Sequence, residues 1–295
     1  MEQINALIIG FGPAGCSAAL YLRRAGLSVA LVGKDSGALE RAEKIENYFG
    51  LPQPMSGKEL VEVGKQQCLA LGAKLWTDEA ISLEWQEDGG FAARFASGRE
   101  AKCQAILLAT GKSKKSPDIE GLHHLEGRGV SYCAVCDAFL YRGRSVAVLG
   151  SGIYALHEME ELLPLAERVF LLTNGETPEI SPPEGVLLHT EHILRLEGDN
   201  TLRGALLEDE NALEFQGLFV ALGSASASDL ARKLGVQLRS EDQSAILVNA
   251  QQETTLPGLF AAGDCTGSFA QVSLAVAEGA RAALAMIPFI RGQKK

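Results

Sequence analysis

The feature that most constrains this fold is a succession of strand, glycine turn, helix and strand, because it occurs twice, 140 residues apart. In the first copy, the apolar run Ala6–Ile9 leads into Gly10-Phe-Gly12-Pro-Ala-Gly15, and a helical pattern then extends to Ala25. The second copy contains the turn Gly150-Ser-Gly152-Ile-Tyr-Ala155 and ends at Leu172. Two such units predict an α/β fold with two doubly wound, dinucleotide-binding-type domains.

The order of these units along the chain also predicts how the domains are divided. Apolar runs at 105–109, 218–222 and 259–262 are each followed closely by glycine, and a helical pattern closes the chain. Turn-prone or polar linkers lie at 111–117 and 240–244. We therefore expect the second domain to be inserted in the first, with residues 1–113 and 246–295 forming one domain and residues 117–243 the other.

Composition is that of an ordinary globular protein and argues against several partners. The 32 glycines among 295 residues exceed the typical ~7%, as expected where backbone turns tightly or approaches a ligand. A net charge of −10 disfavours binding to nucleic acid. No apolar stretch stands out as a membrane span of ~18 to 20 residues, so we expect no membrane insertion. An acidic residue near the N-terminus is unlike a secretory signal, and we expect a cytoplasmic protein.

The first glycine turn has the pattern G-x-G-x-x-G between a strand and a helix, which is the context that dinucleotide binding requires. Gly10 allows the tight turn, Gly12 allows backbone to approach a pyrophosphate, and Gly15 allows the helix to pack on the strand. The alternative is a turn without a ligand. Asp264, in Ala261-Ala-Gly263-Asp264, is a second candidate contact to the same ligand, through a sugar or ribityl hydroxyl, and it could also cap a following helix.

The second glycine turn is followed by residues that disfavour NADPH. Recognition of a 2′-phosphate calls for Arg or Lys just past the second strand, whereas residues 169–194 contain neither. Acidic residues such as Glu176 take their place, among prolines. Glu176 or Asn174 could still hold the ribose hydroxyls of NADH, and a retained fold with no nucleotide is the alternative.

Cys133-Ala-Val-Cys136 has the C-x-x-C spacing of a redox disulfide that carries two electrons. The competing interpretation is half of a zinc site completed by His189 and His192, but the gap of more than fifty residues does not fit finger spacing. We therefore favour redox chemistry and expect no metal. Asp137 could move a proton to or from a thiolate, or it could be a helix-start residue. The other four cysteines lie in apolar surroundings and are expected to be reduced core residues.

Several segments together resemble low-molecular-weight thioredoxin reductases. They extend over nearly the whole chain in the order found in that family and are more specific than either glycine motif. The segments are Ile45–Gly50, Ala109–Gly111, Gly129–Asp137, Phe139, Tyr141–Arg142, Ser145–Gly150, Gly217–Gly223 and Pro257–Asp264.

The resemblance implies a function for each part of the chain. The two chain ends would form an FAD domain, and the inserted domain would carry the cysteine pair. Cys136 would face the flavin, Cys133 would attack the disulfide of thioredoxin, and Asp137 would be the acid-base group. The residues implied to contact FAD are Gly10, Gly12, Pro13, Ala14, Gly15, Asn47, Thr110, Gly111, Gly263, Asp264, Gln271 and Val272. The family is homodimeric, so a homodimer is expected.

Three departures from the family concern the electron donor. Thr173-Asn-Gly-Glu176 replaces a basic His-Arg-Arg motif, and the helix expected next is replaced by a segment containing prolines. Ala270 replaces an arginine, and bulky Ile153 and Tyr154 follow the second glycine pair, where they would crowd a pyrophosphate.

The departures favour a flavin-dependent thioredoxin reductase supplied by ferredoxin instead of NADPH. Lysines 112, 114 and 115, with Arg142 and Arg144, could dock an acidic ferredoxin or form a solvated linker. The alternatives are an NAD(P)H-dependent thioredoxin reductase with an atypical nucleotide pocket and a flavin-bearing redox sensor.

Overall fold

The structure is a computed structural model that describes residues 1–87, 89–111, 117–222, 226–239 and 245–293. The chain forms two compact units. The outer unit comprises Met1–Lys114 and Ser226–Lys295, and the inserted unit comprises Lys115–Ala225. The prediction of two α/β domains, the second inserted in the first, is confirmed. The predicted linker at 240–244 and lysines 112, 114 and 115 lie outside the described residues.

Strands and helices alternate through both units. The N-terminal segment contains β1 (Glu2–Ile9), α1 (Pro13–Arg24), β2 (Val29–Gly33), α2 (Gly57–Ala70), β3 (Lys74–Thr77), β4 (Ala80–Trp85), β5 (Phe91–Phe95) and β6 (Glu100–Leu108). The inserted unit contains β7 (Val130–Ser131), α3 (Ala134–Asp137), β8 (Ser145–Leu149), α4 (Ile153–Leu162), β9 (Arg168–Leu172), β10 (Val186–His189), β11 (Ile193–Glu197), β12 (Gly204–Leu207), β13 (Ala212–Glu214) and β14 (Gly217–Val220). The C-terminal segment contains α5 (Ala227–Lys233), β15 (Leu259–Ala261) and α6 (Val272–Gly292).

The outer unit is built on one sheet whose parallel part has the order β3-β2-β1-β6, with β15 also parallel to β6. The strands β4 and β5 extend it as an antiparallel hairpin on β6. Its central strands are continuous apolar runs, as expected for strands buried on both faces. Because β1, β6 and β15 end at the same edge, the glycine turn after β1 lies beside the segments that follow β6 and β15.

The long C-terminal helix α6 belongs to the core of the outer unit, where it packs on α1. This contact depends on Gly279, because a Cβ at that position would lie 2.0 Å from the backbone oxygen of Ala14. The expectation that no segment is suited to span a membrane is wrong for this helix, which is long and apolar enough by length and composition. Its buried face, which includes Ala282 and Met286, contributes to the hydrophobic core.

Replacing Gly279 by Ala is expected to destabilise the outer unit by about 1–3 kcal/mol, as is usual for overpacking. The added methyl group must displace α6 from the backbone of α1. Urea denaturation of the two proteins measures the difference. Gly292→Ala is the matched control, since its Cβ would meet nothing within 4 Å, and an unchanged unfolding free energy for Gly279→Ala would contradict the close contact.

The inserted unit contains a five-stranded parallel sheet of order β10-β9-β8-β14-β7 and a separate antiparallel sheet of β11, β12 and β13. The only helix between β8 and β9 is α4, and residues 173–185, between β9 and β10, contain no helix. The expected replacement of a helix by the segment that contains prolines is therefore present in the structure.

The second domain boundary lies earlier than predicted. Residues 226–239 belong to the outer unit, not to the inserted one as the boundary at 243 implied. The hydroxyl of Thr110 accepts a hydrogen bond from the Ala227 amide at the start of α5 (3.1 Å), and α5 also packs near β4. The chain thus returns to the outer unit before the polar stretch at 240–244 that served as the boundary signal.

Candidate active site

The glycines at both ends of the first turn are required by close backbone contacts. Gly10 has φ +124°, and a Cβ there would lie 2.2 Å from the oxygen of Ala109, which directly follows β6. A Cβ on Gly15 would lie 2.2 Å from the Gly10 oxygen. These contacts fix the turn between β1 and α1, as the motif predicts.

Gly12 is different, because no contact within the protein requires a glycine. Its φ of −67° and ψ of 179° suit any residue, and a Cβ there would meet nothing within 4 Å. Gly12 is the N-cap of α1, Pro13 is in the first helical position, and no side chain caps this end. The turn thus leaves open space in front of the helix N-terminus, which fits the pyrophosphate of a dinucleotide such as FAD.

The segment after β15 lies against this turn. A Cβ on Gly263, which has φ +81°, would come within 3.3 Å of the Ala14 Cβ. The Gly263 amide donates to the carboxylate of Glu278 on α6 (2.7 Å). Asp264 begins a short 3-10 turn and does not cap α6, whose N-cap is Gln271. Asp264 is therefore beside the open glycine turn, as the sequence predicted, and the capping alternative for α6 does not hold.

Two polar side chains predicted to contact FAD meet although they are far apart in the sequence. The amide nitrogen of Asn47 donates to the side-chain oxygen of Gln271 (3.2 Å), and Val272 follows as the first residue of α6. Thr110 instead supports α5 through its hydroxyl, and Gly111 has open space at its Cβ position. The contacts of these residues with FAD stay predictions.

The cysteine pair forms a disulfide in the inserted unit. The Cα atoms of Cys133 and Cys136 are 5.3 Å apart, and the Cys136 amide donates to the Cys133 sulfur (3.1 Å). Among the described residues no group of three or more His, Cys, Asp or Glu could hold a metal, and the His192 ring instead packs against Gly175. The pair is thus suited to two-electron exchange.

The remaining cysteines are free and buried, as predicted; they are Cys16, Cys68, Cys103 and Cys265. Burial raises the pKa of Cys265 to about 12 and also raises the pKa of Cys103. The raised pKa makes Cys103 and Cys265 poor nucleophiles.

Asp137 is held next to the disulfide by Ser131. The Ser131 hydroxyl donates to the Asp137 carboxylate (2.6 Å) and accepts from the Cys133 amide (3.1 Å). Asp137 lies in the first turn of the four-residue helix α3 and is the N-cap residue of the 3-10 turn that follows, although its side chain makes no capping hydrogen bond, so the helix-start alternative stays open beside the acid-base role. Burial and the nearby charge of Asp137 raise the pKa of Tyr141. One hydroxyl thus links a carboxylate to the backbone of the first cysteine.

Three exposed apolar side chains surround the cysteine segment. Val135 lies between the cysteines and is 58% exposed, and Phe139 and Leu140 follow them at 71% and 65%. The guanidinium of Arg142 stacks on the Phe139 ring at 5.4 Å. An apolar surface of this kind beside a reactive group is typical of a protein-binding site.

At the second glycine turn, the acidic segment of the chain itself lies over the turn. The Ser151 hydroxyl, between the two glycines, donates to the Glu176 carboxylate (2.6 Å). The Glu179 amide donates to the Ser151 backbone oxygen (2.8 Å). Tyr154, expected to crowd a pyrophosphate, is instead buried, with its hydroxyl 3.4 Å from the Tyr132 oxygen. The Glu176 carboxylate is thus hydrogen-bonded to the residue between the two glycines of this turn.

Sequence patterns alone do not identify two residues that lie at the disulfide, Ser131 and Glu158. Ser131 had no signal beyond its position two residues before Cys133. Glu158 is an acid on the same face of α4 as the buried residues Ala155 and Leu162, and it is only 1% exposed. A charged residue at the apolar positions of a helix was the available signal.

Comparison with known proteins extends over both units. A family model described as pyridine nucleotide-disulphide oxidoreductase matches residues 4–279. The thioredoxin reductase of Aquifex aeolicus is 34% identical over 310 residues, covering 99% of this chain and 94% of that protein. Among solved structures, an atypical thioredoxin reductase from Desulfovibrio vulgaris Hildenborough is 40% identical, with a TM-score of 0.91 and 98% of each chain covered. A ferredoxin-flavin thioredoxin reductase from Clostridium acetobutylicum is 30% identical, with a TM-score of 0.75 and 99% of each chain covered.

Proposed function

The chain belongs to the pyridine nucleotide-disulphide oxidoreductase family, and from that premise we propose that it reduces the disulfide of thioredoxin with electrons from a ferredoxin-type carrier. Its membership makes it an FAD-binding oxidoreductase of the thioredoxin-disulfide reductase type. The observation that carries the choice of donor is the Glu176 carboxylate at the second glycine turn. The homodimeric state and the cytoplasmic location stay predictions.

The residues around the first glycine turn suit FAD. Gly12 leaves room for the pyrophosphate at the start of α1, and Asp264 and Asn47 supply polar groups for the rest of the cofactor. When bound, FAD supplies the ability to take up electrons singly and to deliver them in pairs. Therefore neither a hydride donor nor a nicotinamide site is needed for the disulfide chemistry.

Over one catalytic cycle the cysteine pair takes up two electrons and passes them to the disulfide of thioredoxin. Two electrons and two protons break the Cys133–Cys136 bond and give two thiols. The Cys133 thiolate attacks one sulfur of the thioredoxin disulfide and forms a mixed disulfide, and the other thioredoxin sulfur leaves and takes up a proton. The Cys136 thiolate then attacks the Cys133 sulfur, which restores the intramolecular disulfide and releases thioredoxin as a dithiol. Asp137, oriented by Ser131, exchanges the proton of the attacking or departing sulfur.

The exposed apolar side chains beside the disulfide would form part of the binding surface for thioredoxin. Val135, Phe139 and Leu140 offer an apolar contact within the same short segment as Cys133. The disulfide of thioredoxin must approach this segment closely, because disulfide exchange requires contact between the attacking sulfur and the sulfur that it attacks.

The acidic segment argues against a nicotinamide donor. Dinucleotides bind this fold with the pyrophosphate at the helix N-terminus after the glycine turn. Here Glu176 and the backbone of Glu179 are bonded to Ser151 in that turn, and residues 169–194 supply no Lys or Arg to hold a 2′-phosphate. Like charges brought together in this way cost several kcal/mol. A protein that delivers single electrons needs no such pocket.

Anaerobic reduction of the purified flavoprotein, read at the flavin absorption band, tests the donor. Reduced ferredoxin is expected to bleach the flavin, and NADPH and NADH are expected to act at least about 100-fold more slowly because of the charge clash at the turn. Glu176→Gln should accelerate reduction by NADPH, whereas Glu184→Gln, the same change at an exposed position of the same segment, should not. Fast bleaching of the wild-type flavin by NADPH would favour the NAD(P)H-dependent alternative. Reduction without any turnover of thioredoxin would favour the redox sensor.

A further inference from the structure

A buried carboxylate holds the loop between the two cysteines from a neighbouring helix. Glu158 is in α4 and only 1% exposed, and its Oε2 accepts a hydrogen bond from the Ala134 amide at 2.5 Å. Ala134 directly follows Cys133. The side chain of Glu158 therefore reaches the disulfide loop from 24 residues away in the sequence.

Two other hydrogen bonds that fix this loop come from within the cysteine segment itself. The Cys133 amide donates to Ser131, and the Cys136 amide donates to the Cys133 sulfur. These bonds set the local shape of the loop and tie it to β7, which contains Ser131. The bond from Glu158 ties the loop also to α4, whose Tyr154 hydroxyl contacts the Tyr132 oxygen (3.4 Å) and which is packed on β8 of the central sheet.

When Cys133 is a thiolate, the reduced pair carries a charge that the oxidised pair lacks. Reduction breaks the sulfur–sulfur bond and adds two electrons, and any sulfur that does not take up a proton becomes a thiolate. A thiolate at Cys133, which is only 4% exposed, would lie one residue before the Ala134 amide from which the Glu158 carboxylate accepts a hydrogen bond. Charges of the same sign repel strongly away from bulk water, so the carboxylate disfavours the reduced pair.

We propose that Glu158 is a positioning residue for the dithiol, one that anchors the loop through Ala134 and makes the pair a stronger reductant of thioredoxin. The proposal rests on the disulfide exchange proposed above. The same charge that makes the dithiol less stable favours transfer of its electrons to the partner disulfide, because exchange returns the pair to the uncharged disulfide.

The dithiol–disulfide equilibrium of Glu158→Gln tests this role. The purified flavoprotein is equilibrated in dithiothreitol redox buffers and quenched by alkylation. Mass spectrometry of the peptide that contains Cys133 and Cys136 then gives the fractions of dithiol and disulfide. The amide oxygen of glutamine can still accept from Ala134, so only the charge is lost. The equilibrium constant is expected to shift about tenfold toward the dithiol, which corresponds to about 30 mV for a two-electron couple. Glu160→Gln, the same change at an exposed position of α4, should leave it unchanged.

The measurement needs neither thioredoxin nor an electron donor, so its failure is separable from failure of the proposed function. An unshifted equilibrium in Glu158→Gln, or a shift toward the disulfide, would overturn the proposal. If that variant does not fold, Glu158→Asp gives the answer, because it keeps the charge and shortens the reach. Its equilibrium should stay within about threefold of wild type while hydrogen exchange at Ala134 accelerates. A tenfold shift or unchanged exchange in Glu158→Asp would overturn the proposal equally.

Discussion

Replacing Cys133 by Ser is expected to reduce thioredoxin turnover by at least about 10³-fold, because a serine hydroxyl can neither form a mixed disulfide nor ionise near neutral pH. The flavin should remain bound, since the residues that suit FAD belong to the outer unit and Cys133 to the inserted one. The measurement is turnover of thioredoxin with a competent donor, together with the flavin absorption of the purified variant. Residual activity above a few per cent of wild type would contradict a dithiol mechanism.

The two cysteines are expected to respond differently to substitution. Cys136→Ser leaves Cys133 able to attack thioredoxin but removes the sulfur that resolves the mixed disulfide, so a covalent complex should accumulate on non-reducing gels. Cys103→Ala is the matched control, because burial raises the pKa of this free thiol and makes it unreactive. Accumulation with Cys133→Ser in place of Cys136→Ser would reverse the assigned roles of the two sulfurs.

The parts of the fold that the sequence predicts are those in which one residue type satisfies a backbone requirement. Gly10 and Gly15 are required by contacts of 2.2 Å that allow no side chain, so the motif predicts the local structure directly. Cys133 and Cys136 are close in space because they are close in sequence. The lack of Lys and Arg in residues 169–194 is likewise a property of composition, which needs no structure to read.

The parts that the sequence does not predict depend on contacts between distant residues. Glu158 reaches Ala134, and Thr110 meets Ala227, through packing that no local pattern records. The predicted domain boundary at 243 is too late for the same reason, since the chain returns to the outer unit at Ser226, before the polar stretch at 240–244.

Gly12→Asp is expected to raise the dissociation constant of FAD at least about 100-fold, or about 2.7 kcal/mol in binding free energy. The side chain would enter the open space before α1 and bring a negative charge to the place suited to the pyrophosphate. Aspartate is a preferred N-cap residue, so α1 should begin as before. The flavin content after gel filtration and titration of the apoprotein with FAD give the loss of affinity.

The fold does not require a glycine at position 12, whereas the bound pyrophosphate would require one, so the substitution separates the two roles. The φ of −67° and the free space at its Cβ mean that the apoprotein should unfold with nearly unchanged free energy, whereas at Gly10 or Gly15 a side chain would collide with backbone. Gly98→Asp is the matched control, because its Cβ position is also open and aspartate tolerates positive φ. Wild-type flavin content in Gly12→Asp would mean that the pyrophosphate does not lie at this turn. Loss of flavin together with the fold would mean that Gly12 is structural after all. Loss of flavin alone is expected, because among the glycines of this turn only Gly12 has no contact within the protein that excludes a side chain.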